Sequence, residues 1–342
     1  MNNHNYLINP FYQFITPLQN LAERSRATFS RLNAAGRFSI RYQSVLHTAP
    51  RTDISPELLA EKPWLRYYPP QIPLGIEVDE ETLPGMLRES ARRFPDQTAL
   101  IFYGHKMSYR KLDEAADDFG LSLVAQGIRP GDRVALLLPN CPQFVIAYYG
   151  ALRAGAIVVP CNPLYVEREL EQQLSDARPR ILVTLTLFYK LAKAVQPKVG
   201  LEKIVVGNIK DYFPTVLKLL FTALKEKKEG HRATLEGPDS LSWADFLTGY
   251  KSGPAPYLPG VKAADVALYQ YTGGTTGTPK AAILTHHNLV TNARMCWAWL
   301  GNGPKTSDIT LGVVPFFHVY GMTGALNLSI FSAGTLVLLP KF

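Results

Sequence analysis

From residue 82 onward apolar positions recur with two alternating periods, one near 3.6 and one of short unbroken runs. Leu83, Met86, Leu87, Ala91 and Phe94 fall on one side of a helix that opens at Thr82. The pattern then predicts a strand Thr98–Tyr103, a turn at Gly104 and His105, and a helix over 111–126 opened by Ser108. A turn Gly127–Asp132, a strand Arg133–Leu138, a helix over 142–154 and a strand Ala156–Pro160 follow, then a helix over 167–176 and a strand Arg180–Val183. Val134–Leu138 and Ile157–Val159 are unbroken apolar runs, as strands covered on both faces should be. Helix and strand alternating in this way predict a layered α/β architecture. No fixed-period repeat is visible.

Three stretches depart from that rhythm. Residues 1–60 are weakly patterned and read as an N-terminal extension, leaving 61–342 as the patterned domain. Between Asp308 and Lys341 there are 32 residues without Asp, Glu, Lys or Arg, long enough to cross a bilayer. Pro315, His318, Asn327 and four glycines break that run into apolar 309–314, helix-like 321–333 and apolar 335–339. A buried strand–helix–strand unit explains this punctuation better than a transmembrane helix, so none is expected. Residues 209–232 form a Pro-containing amphipathic insertion with a basic tail. It reads either as a solvated surface helix or as a peripheral membrane contact.

Charge adds little beyond those stretches. The net +8 divides into +5 over residues 1–51, +3 over 210–232 and zero elsewhere. With the body neutral and no nucleic-acid motif present, no nucleic-acid partner is expected. The Arg-rich, acid-poor start reads as a solvated extension or as a transit peptide. Composition, 46% hydrophobic and 19% charged, excludes disorder and coiled coil for the whole chain. Cys141, Cys161 and Cys296 are widely spaced, which fits core-filling thiols in a reducing, cytoplasmic setting rather than a zinc site or disulfide framework. A position at a membrane surface through 209–232 is the open alternative.

Candidate chemistry lies further along. Asp265–Tyr271 reads as a strand that runs straight into Thr272-Gly-Gly-Thr-Thr-Gly-Thr-Pro-Lys280, followed by an apolar run Ala281–Leu284 and by Thr285 as N-cap of a helix starting at His286. Backbone N–H groups at Gly273, Gly274 and Gly277, with hydroxyls of Thr272, Thr275, Thr276 and Thr278, can surround an anion, and Lys280 adds a fixed positive charge. The loop is not a Walker A loop, because Pro279 precedes the lysine and an apolar run follows it. Nor does it have the third glycine of a dinucleotide fingerprint.

Tyr271–Leu289 closely resembles the signature of adenylate-forming (AMP-binding) enzymes, which include acyl- and aryl-CoA ligases, peptide-synthetase adenylation domains and luciferases. Gly131–Asn140 through Leu152–Pro163 resembles the first core motifs of that superfamily, and Pro315–Met322 its substrate-pocket motif. The Thr272–Gly277 wording and the insertion at 209 look most like the long-chain fatty acid–CoA ligase branch. The likeness runs from Lys62 to the last residue.

The resemblance implies an ATP-dependent, AMP-forming joining of a fatty acid to coenzyme A, with ATP and Mg²⁺ required. Thr272, Gly273, Gly274, Thr275, Thr276, Gly277, Thr278 and Lys280 would hold the β/γ-phosphates, Lys280 with a catalytic part, and Thr275 would help ligate the metal. His318 would orient carboxylate or α-phosphate, with Phe317, Tyr320 and Gly321 beside it in the substrate pocket. Phe316 and Met322 could be pocket wall or core, while His286 and His287, at a helix start, are expected to be structural. Ala281 stands where the superfamily usually has glycine, a small change. The acidic metal motif, ribose-binding aspartate, hinge and lid of the superfamily have no counterpart before Phe342. The expectation is therefore an N-terminal portion, ending before the barrel subdomain and C-terminal lid, with Leu336–Leu339 a strand without later neighbours. Two alternatives stand beside it: a truncated, non-catalytic nucleotide-binding fragment, and an aryl- or amino-acid-activating relative.

Overall fold

A computed structural model describes residues 54–78, 80–253, 256–272, 280–300 and 307–340. The chain divides at Pro70 into two units. In the described part of the first, helix α1 (Pro56–Glu61) has a proline in its first turn and Ser55 as N-cap. A 3-10 turn over Pro63–Tyr67 follows it.

The second unit opens with α2 (Leu83–Arg93), whose N-cap Thr82 accepts from the Gly85 N–H. A hairpin of β1 (Thr98–Phe102) and β2 (His105–Ser108) comes next, then α3 (Tyr109–Ala125). Strands β3 (Arg133–Leu137), β4 (Ile157–Pro160), β5 (Ile181–Leu185) and β6 (Lys203–Gly207) are linked through α4 (Pro142–Arg153), α5 (Glu167–Ala177) and α6 (Tyr189–Val199). Helix α7 (Thr215–Leu224), strand β7 (Ser240–Ser242) and α8 (Trp243–Gly249) lead to β8 (Val266–Thr272), β9 (Lys280–Thr285) and α9 (His286–Trp299). Last come β10 (Ile309–Gly312), helix α10 and β11 (Thr335–Leu338). Helix α10 starts as Val319–Gly321, widens into π-turns over Met322–Asn327 and ends as Leu328–Phe331.

Two sheets result. The larger has the order β7-β6-β5-β3-β4-β8-β9, parallel except for β9, which pairs antiparallel with β8 at the edge. The smaller has the order β10-β11-β1-β2, with β2 antiparallel. Side chains alternate across the large sheet as strand geometry requires. Val134, Leu136 and Leu138 join the core of α3, α4 and the small sheet. Ala135 and Leu137 face the opposite side, with Leu170 and Leu174 of α5 and Ala192 and Val195 of α6. The layered α/β expectation holds.

Helix α4 is the pivot, buried at every residue. It approaches α3 so closely that a Cβ on Gly150 would lie 2.8 Å from both the Ala116 carbonyl and Phe119. Arg153, at its end, is 4% exposed and forms ion pairs with Asp113 and Asp117 of α3, so its buried charge is matched.

Several expectations change. The turn placed at Gly104 and His105 is a two-residue hairpin at Tyr103 and Gly104 (φ 49° and 89°), and the chain returns as β2, so α3 begins at Tyr109. The amphipathic stretch 209–232 is helical only in part: a 3-10 turn Ile209–Tyr212, then α7. The uncharged run after Asp308 is a strand–helix–strand unit, with β10 and β11 parallel in register Ile309↔Thr335. Both edges of β11 are taken by earlier strands, β10 and β1. Among the described residues no helix is long and apolar enough to cross a membrane. Cys141 and Cys161 are fully buried, and burial pushes the Cys141 thiol up to about 12, which suits a packing role.

Candidate active site

The parallel strands of the large sheet share one carboxyl edge, and the candidate residues gather there. Strand β8 ends at Thr272 and β9 begins at Lys280, directly opposite it in the antiparallel register. The Thr272 hydroxyl donates to the Lys280 carbonyl at 3.4 Å, closing the neck of the connecting loop. Residues 273–279, including Gly273, Gly274, Thr275, Thr276, Gly277 and Thr278, lie outside the described residues. Lys280 is exposed and forms no ion pair among the described residues, so its ammonium is open to an anion. Thr285 caps α9 as expected, accepting from the Asn288 N–H at 3.2 Å while Asn288 reaches back to the Thr285 N–H.

The segment Pro315–His318 is held against this edge by two buried amides. Asn140, just past the end of β3, donates from Nδ2 to the carbonyls of Gly312 and Val314, both at 3.0 Å. Its Oδ1 accepts from the Phe316 N–H at 2.8 Å. Gln270, two residues before Thr272 in β8, donates to the Phe317 carbonyl at 3.1 Å. Thr272, Lys280, Phe317 and His318 are thus brought to one end of β8 and β9. The sequence reading gave Asn140 and Gln270 no role. A lone glutamine in the apolar strand Val266–Thr272 was the available signal, since a buried amide must find partners.

Side chains of the segment divide sharply. Phe316 and Met322 are fully buried and belong to the core. The Phe317 ring is half-buried, with its centroid 4.3 Å from that of His318, and the His318 side chain is exposed. Tyr320 is 75% exposed. Gly321 is buried where the chain doubles back: a Cβ there would stand 2.5 Å from the Pro315 carbonyl and 2.7 Å from that of Val314. The Gly321 position therefore sets the path of the loop that carries His318. His286 is structural, 1% exposed, its Nδ1 accepting from the Leu83 N–H at 3.4 Å; His287 is exposed.

The donor set suits a phosphate: an exposed lysine at the neck of a loop made of glycines, threonines and one proline. Among the described residues no group of three Asp, Glu, His or Cys side chains is placed to hold a metal ion.

Residues 87–342 match the family described as AMP-binding enzyme. The chain belongs to that family. Among its relatives, this AMP-binding protein is 41% identical to a long-chain-fatty-acid–CoA ligase of Bacillus subtilis over 286 residues, 83% of the chain and 50% of the relative. The solved structure of a long-chain-fatty-acid-CoA ligase from Archaeoglobus fulgidus superposes with a TM-score of 0.61 at 26% identity, covering 78% of this chain and 49% of that one. An anthranilate CoA ligase bound to anthranoyl-AMP shares the fold, with a TM-score of 0.63 at 24% identity over 77% of this chain and 46% of that one. The AMP-binding chain spans about half the length of the curated relatives it matches.

Proposed function

We propose that this AMP-binding chain forms the N-terminal part of a long-chain fatty acyl-CoA ligase that first joins a fatty acid to AMP, releasing pyrophosphate, and then passes the acyl group to coenzyme A. In this reading residues 61–342 are part of the catalytic domain, 1–60 precede it, and 209–232 are an insertion in it. The observation that carries the proposal is the pinning of Pro315–His318 to the end of β8 through Gln270, beside the loop closed by Thr272 and Lys280. The named ligases among the relatives favour a long-chain acid.

The chemistry sets two requirements. A carboxylate must approach an α-phosphate of like charge, and charge must be neutralised as it moves onto pyrophosphate. Lys280 and the amides and hydroxyls of 272–278 bind the β/γ-phosphates and absorb that charge. Each charge-assisted contact contributes about 1.5–3 kcal/mol. Thr275 would help hold a Mg²⁺ ion, which would supply further charge neutralisation. His318 orients the carboxylate or α-phosphate, with Phe317, Tyr320 and Gly321 shaping the near end of the acyl site. An alkyl chain adds about 0.8 kcal/mol per buried CH₂, so chain length is read by burial.

ATP–pyrophosphate exchange in the full reading frame that encodes this chain tests the proposal, with palmitate, benzoate and amino acids compared. Palmitate should support the fastest exchange, and Lys280→Ala should slow it about 10- to 100-fold, the loss of one such contact in the transition state. Unchanged exchange in Lys280→Ala overturns the site. Preference for benzoate moves the protein to the aryl-activating branch, and nucleotide binding without exchange makes it a non-catalytic binder.

A further inference from the structure

Helix α7 is apolar on the wrong side. Its buried contact is Phe221, which packs on Phe213 with ring centroids 5.4 Å apart, and Leu217 is partly buried beside it. Phe213 in turn packs against Phe102 and Tyr103 of the small sheet's hairpin, so α7 is fixed to the body before it meets anything else. At about 100° per residue, Val216, Leu219, Leu220 and Ala223 fall on a single arc opposite Phe221. Val216 is 71% exposed, Leu219 67% and Leu220 46%. Leu224, 59% exposed, continues the surface at the helix end. A solvated surface helix should present polar residues there; this one is apolar on both sides, the composition of a helix that meets a second apolar phase.

Charge selects the phase. The three acids of 210–232 are engaged locally: Glu226 pairs with Lys210 at 2.6 Å, Glu229 with Lys225 at 3.4 Å, and Asp211 accepts from the N–H of Asn208, just before the segment, at 2.7 Å. Lys218, Lys227, Lys228 and Arg232 are exposed and form no ion pair among the described residues. A second copy meeting this face would bring like charges together, whereas an anionic lipid surface would be attracted. We propose that the outward face of α7 docks into the interfacial layer of an anionic lipid bilayer, with Leu219 and Leu220 buried among acyl chains and Lys227, Lys228 and Arg232, just past the helix end, on headgroup phosphates. The helix is already folded, so docking requires no ordering of the segment. The surface is independent of the adenylation chemistry.

The test is co-sedimentation of the full chain with vesicles of phosphatidylglycerol and phosphatidylcholine, against phosphatidylcholine alone. Wild type should bind the anionic vesicles and lose binding as salt rises. Leu219→Ser/Leu220→Ser and Lys227→Glu/Lys228→Glu should each weaken binding by about tenfold or more, with thermal midpoints unchanged because these side chains project into solvent. Should the leucine pair disturb folding, Val216→Gln on the same arc carries the test with the same expected loss. Absence of wild-type binding, or equal binding by the folded leucine variant or by Val216→Gln, overturns the proposal. So does a wild-type dimer in light scattering that the leucine substitutions convert to monomer, which would make the face a contact between copies.

Discussion

At the scale of single residues, Asn140 and Gly321 help set the path of the loop that carries His318. Asn140 spends its whole amide on the loop after β10, giving two hydrogen bonds and taking one, while 3% exposed. Asn140→Ala removes a partner from the Val314 carbonyl and the Phe316 N–H, while the Gly312 carbonyl keeps the Leu339 N–H, and should cost about 2–3 kcal/mol in urea unfolding. Gly321→Ala forces a Cβ into two backbone carbonyls, which a flexible side chain cannot relieve. It should destabilise by about 1–3 kcal/mol, or leave the protein insoluble on expression. A native-like midpoint for Gly321→Ala would show that the loop is free to move. What was legible is the frame of this site: a strand running into Thr272 and an apolar strand after Lys280, as β8 and β9 are. The residues that hold Pro315–His318 against it were not, because Asn140 and Gln270 act through hydrogen bonds to backbone far away in sequence. Phe316 and Met322 show the same limit, since a pocket wall and a core residue have one composition.

At the scale of elements, the sequence pattern was strongest where burial is strongest. Strands β3 and β4, covered on both faces, were read within a residue of their ends, and the start of α9 at His286 with its Thr285 cap was read as found. Strand β2 was missed because His105-Lys-Met-Ser108 buries only Met107 on the sheet and owes its form to pairing with β1. Helix α7 left two readings open for the opposite reason: amphipathic periodicity identifies a helix but not which side faces water. The α3–α4 contact was invisible, because nothing in either helix alone says that Gly150 must meet Ala116 and Phe119. Gly150→Ala should push the two helices apart and lower stability by about 1–3 kcal/mol. Differential scanning calorimetry would read this as a lower midpoint, and an unchanged midpoint would mean that the crossing is looser than the 2.8 Å approach indicates.

At the scale of the whole unit, two sheets share one core, and the parts that join them matter for stability. His286 is one such part. It starts α9, directly after the β8–β9 hairpin of the large sheet, and its Nδ1 accepts from the first N–H of α2, a helix packed in the core that contains β1 and β11. Burial holds its pKa down at about 4 from an ordinary 6.5, against a weaker opposing pull from Asp265. A proton on Nδ1 would also abolish the acceptor. Because the folded value lies below the unfolded one, the unfolded chain binds the extra proton between them. Stability from this group is therefore complete above about pH 6.5 and falls as the pH drops toward about 4, by roughly 3 kcal/mol in total. Carboxylates begin to titrate within the same window, so the wild-type slope alone is ambiguous. His286→Gln keeps an acceptor at that position and removes the titration. Urea unfolding across the window should give a shallower acid dependence for His286→Gln, the gap between the two proteins widening steadily as the pH falls. Parallel curves would mean that the imidazole reaches solvent before the two sheets part, and that the joint between them opens locally.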